Sequence, residues 1–169
     1  MNRRRLTGHG RPWRQLAVGL LMAIAILCWP AVSVQAQILP ATEARLPELT
    51  VYRSPTCNCC EHWVDHMKAS GFQVQSVVTD AMAAIKDQYG VPADMTSCHT
   101  AIADGYSIEG HVPAADVMRL LRDRPEVLGL AAPGMPVGAP GMETGDRVDP
   151  YTVFSFTQGG AIATFAEHS

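Results

Sequence analysis

No apolar run in this 169-residue chain is long and clean enough to read as a membrane span. The longest covers residues 16–29 and stops at Pro30 and a string of small residues, short of the roughly 20 apolar residues a spanning helix needs. Acidic residues are missing from the first 36 positions, which carry Arg3, Arg4, Arg5, Arg11 and Arg14. A basic start, a short apolar core and the A-x-A-like Val34-Gln35-Ala36 describe a cleaved export signal over 1–36. Basic charge is scarce in the remainder. Five of the 13 Lys and Arg and none of the 16 acids lie in the signal, which leaves eight cations against 16 acids. That balance excludes a nucleic-acid partner, which calls for a basic face. It suits a protein that handles cations. No internal repeat is present, so a repeat array is excluded. Removing 36 of 169 residues leaves 133, enough for one domain with its own core. The expected organisation is a signal peptide over 1–36, a loosely ordered lead over 37–47 with Pro40 and Pro47, and one domain over 48–169. After cleavage no stable membrane insertion is expected, and the expected location is the periplasm.

Cysteine is also scarce, and its placement is the informative part. Of five cysteines, Cys28 falls in the signal, and three of the other four, Cys57, Cys59 and Cys60, lie within four consecutive positions. Cys98 stands apart. An even count in an exported chain reads first as disulfides. The spacing argues otherwise, because Cys59–Cys60 would be a vicinal pair and a loop closed within 57–60 stabilises little. The cysteines read as a site.

The pattern around them is α/β. Residues 49–53 read as a strand. Residues 59–70 read as a helix, with Cys60, Trp63, Val64 and Met67 at helical spacing and Gly71 ending it. Alternation gives a second strand over 72–78. Thr79 or Asp80 caps a helix over 81–89. Strands at 100–103 and 106–108 flank Asp104-Gly105, a hairpin signal. Pro113 opens a helix over 114–122 whose apolar side is Val117, Leu120 and Leu121. Residues 129–145 are rich in Gly and Pro and read as a loop, and a hairpin over 151–156 and 161–165 closes the chain. A strand, then thiols at the mouth of a helix, then a parallel strand open a thioredoxin-like fold with a central mixed sheet, flanking helices and a C-terminal hairpin.

Two chemistries fit thiols at that turn. Cys57 and Cys60 form a C-x-x-C, and a helix N-terminus stabilises a thiolate for disulfide exchange. The same thiolate is a metal ligand. Cys59 favours metal, because a third thiol between an attacking and a resolving cysteine invites mispairing, whereas a metal site gains a ligand. Soft sulfur selects Cu(I), zinc or iron–sulfur. Zinc prefers four tetrahedral ligands, and thiols packed this tightly suit Cu(I) better. Cys98, just ahead of the third strand, is expected to approach the cluster. His99 follows it, and His111 sits at the next strand-to-helix turn, each a candidate imidazole ligand against the alternative of a packed histidine. His62 and His66, four apart, read as a polar helix face. Met135 and Met142 belong to two Pro-Gly-Met triplets in the loop, thioethers suited to Cu(I) or else pins holding the loop to apolar surface.

Five segments taken together carry a resemblance: 51–60, Ser97-Cys98-His99-Thr100, 109–114, Pro133-Gly134-Met135-Pro136 and Pro140-Gly141-Met142-Glu143. Over about residues 48–168 the chain resembles the CopG-type exported copper-resistance proteins, a family unrelated to the ribbon-helix-helix repressor of that name. The resemblance implies a thioredoxin-like fold, a periplasmic setting and copper bound through the cysteine cluster. Cys57, Cys59, Cys60 and Cys98 match the family's thiol positions, and His111, Met135 and Met142 its other motifs. The expected function is copper binding for resistance or homeostasis, as Cu(I) with Cu(II) as a second state and zinc the weaker fit. Its expected partners are copper ions and other periplasmic copper-handling proteins. Disulfide exchange through Cys57 and Cys60, or redox cycling of copper, stands as the alternative.

Overall fold

The computed structural model describes residues 46–169. The expected signal, and all of the expected lead except Leu46 and Pro47, lie outside these residues. Strand β1 (Leu49–Arg53) buries Leu49 and Val51 completely, the alternation its sequence calls for. Helix α1 (Asn58–Ala69) buries Cys60, Trp63, Val64 and Met67, the stripe read from the sequence. Gly71, at φ +95°, ends it in a conformation that favours glycine. Strand β2 (Val74–Val78) lies parallel to β1. Phe72, expected to begin that strand, instead packs into the core ahead of it.

Helix α2 (Met82–Gln88) is short and fully buries none of its residues. Thr79 accepts the Ala81 N–H through its hydroxyl just before it, at 3.1 Å. Strands β3 (Thr100–Ala103) and β4 (Tyr106–Gly110) form the expected hairpin. Asp104 (φ 49°) and Gly105 (φ 88°) both take positive φ, as a tight two-residue turn requires. Helix α3 (Ala114–Asp123) buries Val117, Leu120 and Leu121 against the same core as α1.

The sequence reading places 129–132 in a loop, and here the structure corrects it. Gly129–Ala132 is strand β5, buried throughout, parallel to β4 and antiparallel to β6 (Tyr151–Phe156). Its small and apolar residues alternate nothing because neighbours cover both faces. Gly129 has no room for a side chain between the Ser107 backbone and the Phe156 ring. Strand β7 (Ile162–His168) completes the C-terminal hairpin. Among the described residues the sheet order is β2-β1-β3-β4-β5-β6-β7, a mixed α/β arrangement with three α-helices. Among the described residues no helix is long and apolar enough to cross a membrane.

The pairing register decides where the chemistry gathers. Tyr52 pairs with Thr100, Thr100 with Glu109, and Gly110 with Ala132. The end of β1, the start of β3, the end of β4 and the end of β5 therefore share one end of the sheet. The residues that follow β1, precede β3, follow β4 and follow β5 are Cys57–Cys60, Cys98-His99, His111 and the first Pro-Gly-Met triplet.

Candidate metal centre

Cys57 takes an extended conformation as the residue that starts α1, so Cys59 and Cys60 fall in the first helical turn. The Cys57 and Cys59 sulfurs are 3.5 Å apart, and Cys98 Sγ, 39 residues further on, lies 3.8 Å from Cys59 Sγ. The sulfurs of Cys57, Cys59 and Cys98 all lie within 4.8 Å of one another, and all three residues are half-buried. Cys60 faces the core, with none of its surface exposed. It is joined to Cys57 by a disulfide with a Cα–Cα separation of 5.4 Å. Cys59 and Cys98 are free thiols. The sequence places four sulfurs in one group. The structure gathers three of them and adds the bond from Cys57 to the fourth, which spacing alone argued against.

Burial pushes the Cys98 thiol up to about 11, and the neighbouring Cys59 adds to the rise. A hydrogen bond involving Ser97 and the positive charge of Lys86 oppose it. A thiol held in this way exchanges its proton for a soft metal rather than standing ionised in solvent.

Behind the sulfurs are two buried histidines. The rings of His99 and His111 are edge-to-face with centroids 5.0 Å apart, and His99 lies 4.4 Å from the Trp63 ring. Among the described residues neither nitrogen of His99 has a hydrogen-bond partner, nor does Nε2 of His111. The His111 Nδ1 lies 2.9 Å from the Pro140 carbonyl oxygen. A carbonyl can only accept, so the proton is on Nδ1 and the Nε2 lone pair is bare. This is the tautomer a metal-ligating imidazole takes when a carbonyl orients it. Burial lowers both pKa values, that of His99 well below the ordinary range, so both rings are neutral near pH 7.

The two methionine loops flank the cluster. Pro140-Gly141-Met142 lies on the first turns of α1: a Cβ on Gly141 would stand 2.7 Å from both the Cys59 oxygen and the Trp63 nitrogen. Gly141 (φ +83°) donates its N–H to Glu143 Oε2 at 2.8 Å, and Met142 is half-buried. The other triplet is tied to the Cys98 side, where Gly134 N–H bonds the Thr96 oxygen at 3.2 Å and the Ser97 hydroxyl bonds the Gly134 carbonyl. Met135 is 59% exposed.

His62 and His66 do not act as a pair. His62 is exposed, whereas His66 Nε2 accepts the Ala114 N–H at 3.1 Å and so fastens α1 to the start of α3. Sequence reasoning missed Lys86 and Glu109, which reach this end of the sheet from α2 and β4. They lie 23 residues apart, and no local pattern links them.

A family described as "Protein of unknown function, DUF411" matches residues 95–142, the stretch from Met95 through Cys98 and His111 to Met142. Two solved structures are similar over almost their whole length. One, named "Copper resistance protein copG- Form 2", is 47% identical and has a TM-score of 0.71 over 73% of this chain and 99% of its own. The other, "Copper resistance protein copG- Form 1", is 47% identical with a TM-score of 0.70, over 73% of this chain and 98% of its own. The chain belongs to the CopG-type copper-resistance family. The resemblance read from the five sequence segments is thereby borne out. No curated protein matches this CopG-type chain in sequence.

Proposed function

We propose that this CopG-type protein is an exported copper-binding protein of copper resistance, acting in the periplasm on Cu(I) that it holds through cysteine thiolates. The observation that carries this reading is the convergence of Cys57, Cys59 and Cys98 within 4.8 Å. Three sulfurs from two distant segments make a soft donor set, which matches Cu(I) and excludes hard cations. Reduction of the Cys57–Cys60 disulfide would free both of its sulfurs, raising the available thiolates from two to four and allowing sulfur to bridge more than one ion. The bare Nε2 of His111 and the unpartnered nitrogens of His99 support imidazole donors behind the sulfurs. Met142 and Met135 would supply thioethers for capping or hand-over to other periplasmic copper-handling proteins. The β1-α1-β2 unit with its thiols at the turn, continued by the β3–β4 hairpin and α3, supports the thioredoxin-like reading of the fold. The acid-rich composition after the signal fits cation handling and no nucleic-acid partner.

The test is an anaerobic Cu(I) titration of the reduced protein against a competing chelator. Tight binding that is lost in a cysteine-free variant is expected. Binding no tighter than that variant's would overturn the proposal.

One observation favours a second reading. The Cys57–Cys60 disulfide, beside two free thiols, is the oxidised form of a C-x-x-C redox pair. A thiol–disulfide oxidoreductase would keep its turnover in Cys59→Ser and Cys98→Ser, whereas a copper site would lose affinity in both.

A further inference from the structure

Glu109 carries a carboxylate with no exposed surface, on the strand that leads to His111. Its Oε1 accepts from Lys86 Nζ at 2.5 Å and from the Ser97 backbone N–H at 2.6 Å. Its Oε2 accepts from the Thr100 hydroxyl at 2.7 Å, and Lys86 Nζ reaches the same hydroxyl at 3.2 Å. Lys86 is itself only 13% exposed. One carboxylate thus holds α2, the start of β3 and the residue next to Cys98. Ser97 carries the link on to Gly134, beside Met135.

A buried ion pair is a poor way to stabilise a fold. Removing two charges from water costs about as much as their attraction returns, and an apolar pair of similar volume commonly does as well. The location of this pair is therefore informative. It lies behind Cys98 and His99: Glu109 holds the amide of Ser97, next to Cys98, and both Glu109 and Lys86 meet the hydroxyl of Thr100, next to His99. A cluster of thiolates accumulates negative charge in a half-buried place, and a fixed cation beside it offsets that charge at low dielectric.

We infer that Lys86, anchored by Glu109, is a positioning residue of the thiolate site, supplying a fixed positive charge behind Cys98 while Glu109 sets the Cys98 segment through the Ser97 amide. This rests on the reading of the cysteines as a Cu(I) site. Partners of this kind, one shell behind the ligands, typically change metal affinity by about 10–100-fold.

The experiment is Cu(I) competition on the purified, reduced protein, comparing wild type, Lys86→Gln, Lys86→Arg and a cysteine-free variant, with urea unfolding of each metal-free form alongside. Lys86→Gln keeps a hydrogen-bond donor without the charge and is expected to bind Cu(I) about tenfold more weakly. Lys86→Arg keeps the charge and should restore affinity to within about threefold of wild type. Affinity equal to wild type in Lys86→Gln overturns the inference. So does equal weakening in both variants, which is the result a purely packing role would give. If Lys86→Gln proves too unstable to assay, the arginine variant decides alone, since a tenfold loss there also overturns it. Wild-type binding no tighter than the cysteine-free variant's would instead bring down the copper reading itself, and this inference with it.

Discussion

The two Pro-Gly-Met triplets are identical in sequence and opposite in circumstance. Around Gly134 there is open space, with nothing within 4 Å of where a Cβ would stand, and Met135 beside it is 59% exposed. Gly141 is fully buried against the Cys59 carbonyl and the Trp63 amide, where a Cβ would stand 2.7 Å from each, and Met142 beside it is half-buried. Both glycines take positive φ, so the turn alone accounts for glycine at both. The second position has an additional reason, close approach to the helix that carries the cysteines. One triplet is a wall pressed against the cysteine helix, and the other is an arm with open space around its glycine.

The largest expected effect breaks the comparison at Gly141. Gly141→Ala should destabilise the fold by about 1–3 kcal/mol from overpacking against α1, plus about 1–2 kcal/mol for an L side chain in the left-handed region. Gly134→Ala should show only the second contribution. Urea midpoints of the two variants measure the difference, and equal shifts would show that Gly141 is not pressed against the cysteine helix.

The methionines should divide in the same way. In Cu(I) competition, Met142→Ala is expected to weaken binding more than Met135→Ala does. The exposed Met135→Ala should change stability by less than about 0.5 kcal/mol. A larger loss of Cu(I) affinity at Met135 would reverse the roles of wall and arm.

Acid should loosen the Met142 loop first. His111 is fixed to the Pro140 carbonyl, and burial holds its pKa below the ordinary 6.5, opposed by that carbonyl and by Glu143. A depressed folded-state pKa means the neutral form is favoured on folding, so this contribution is complete above pH 6.5 and is lost as pH falls through the lower folded value. Protonation would place a charge on Nε2, which has no acceptor. His66 acts in the same direction, since its Nε2 is the acceptor for Ala114 and its pKa is likewise lowered, chiefly by burial. Hydrogen exchange followed from pH 7 to pH 5 should quicken at Gly141 and Ala114 before it does at Gly134. The smallest effect is expected at His62, where exposure leaves nothing to lose; His62→Gln should leave both stability and Cu(I) affinity unchanged within error.

Much of this layout was legible in the sequence. The α1 stripe, the Asp104-Gly105 hairpin and the closing hairpin follow from periodicity and turn chemistry, which act over a few residues. Strand β5 was not legible, because Gly129-Leu130-Ala131-Ala132 is covered on both faces and so has no period to detect. Cys98 could be assigned to the cluster only through the strand it precedes, and the β1–β3 register is what makes that assignment correct. His66 as the acceptor for α3 and Lys86 as the partner of Glu109 depend on contacts between elements far apart in the chain, and nothing local announces them. The two methionine triplets show the same limit, since their difference lies entirely in what each one touches.

The Cys57–Cys60 bond has an electrochemical consequence. With that bond closed, two of the four cysteines among the described residues are free. Opening the other two requires two electrons from a donor outside the four sulfurs. The number of thiolates the protein can offer is thus set by its surroundings. Under oxidising conditions the cluster offers two thiols, and under reducing conditions four. Its metal capacity, measured as equivalents bound per chain, should rise in a step as ambient potential falls.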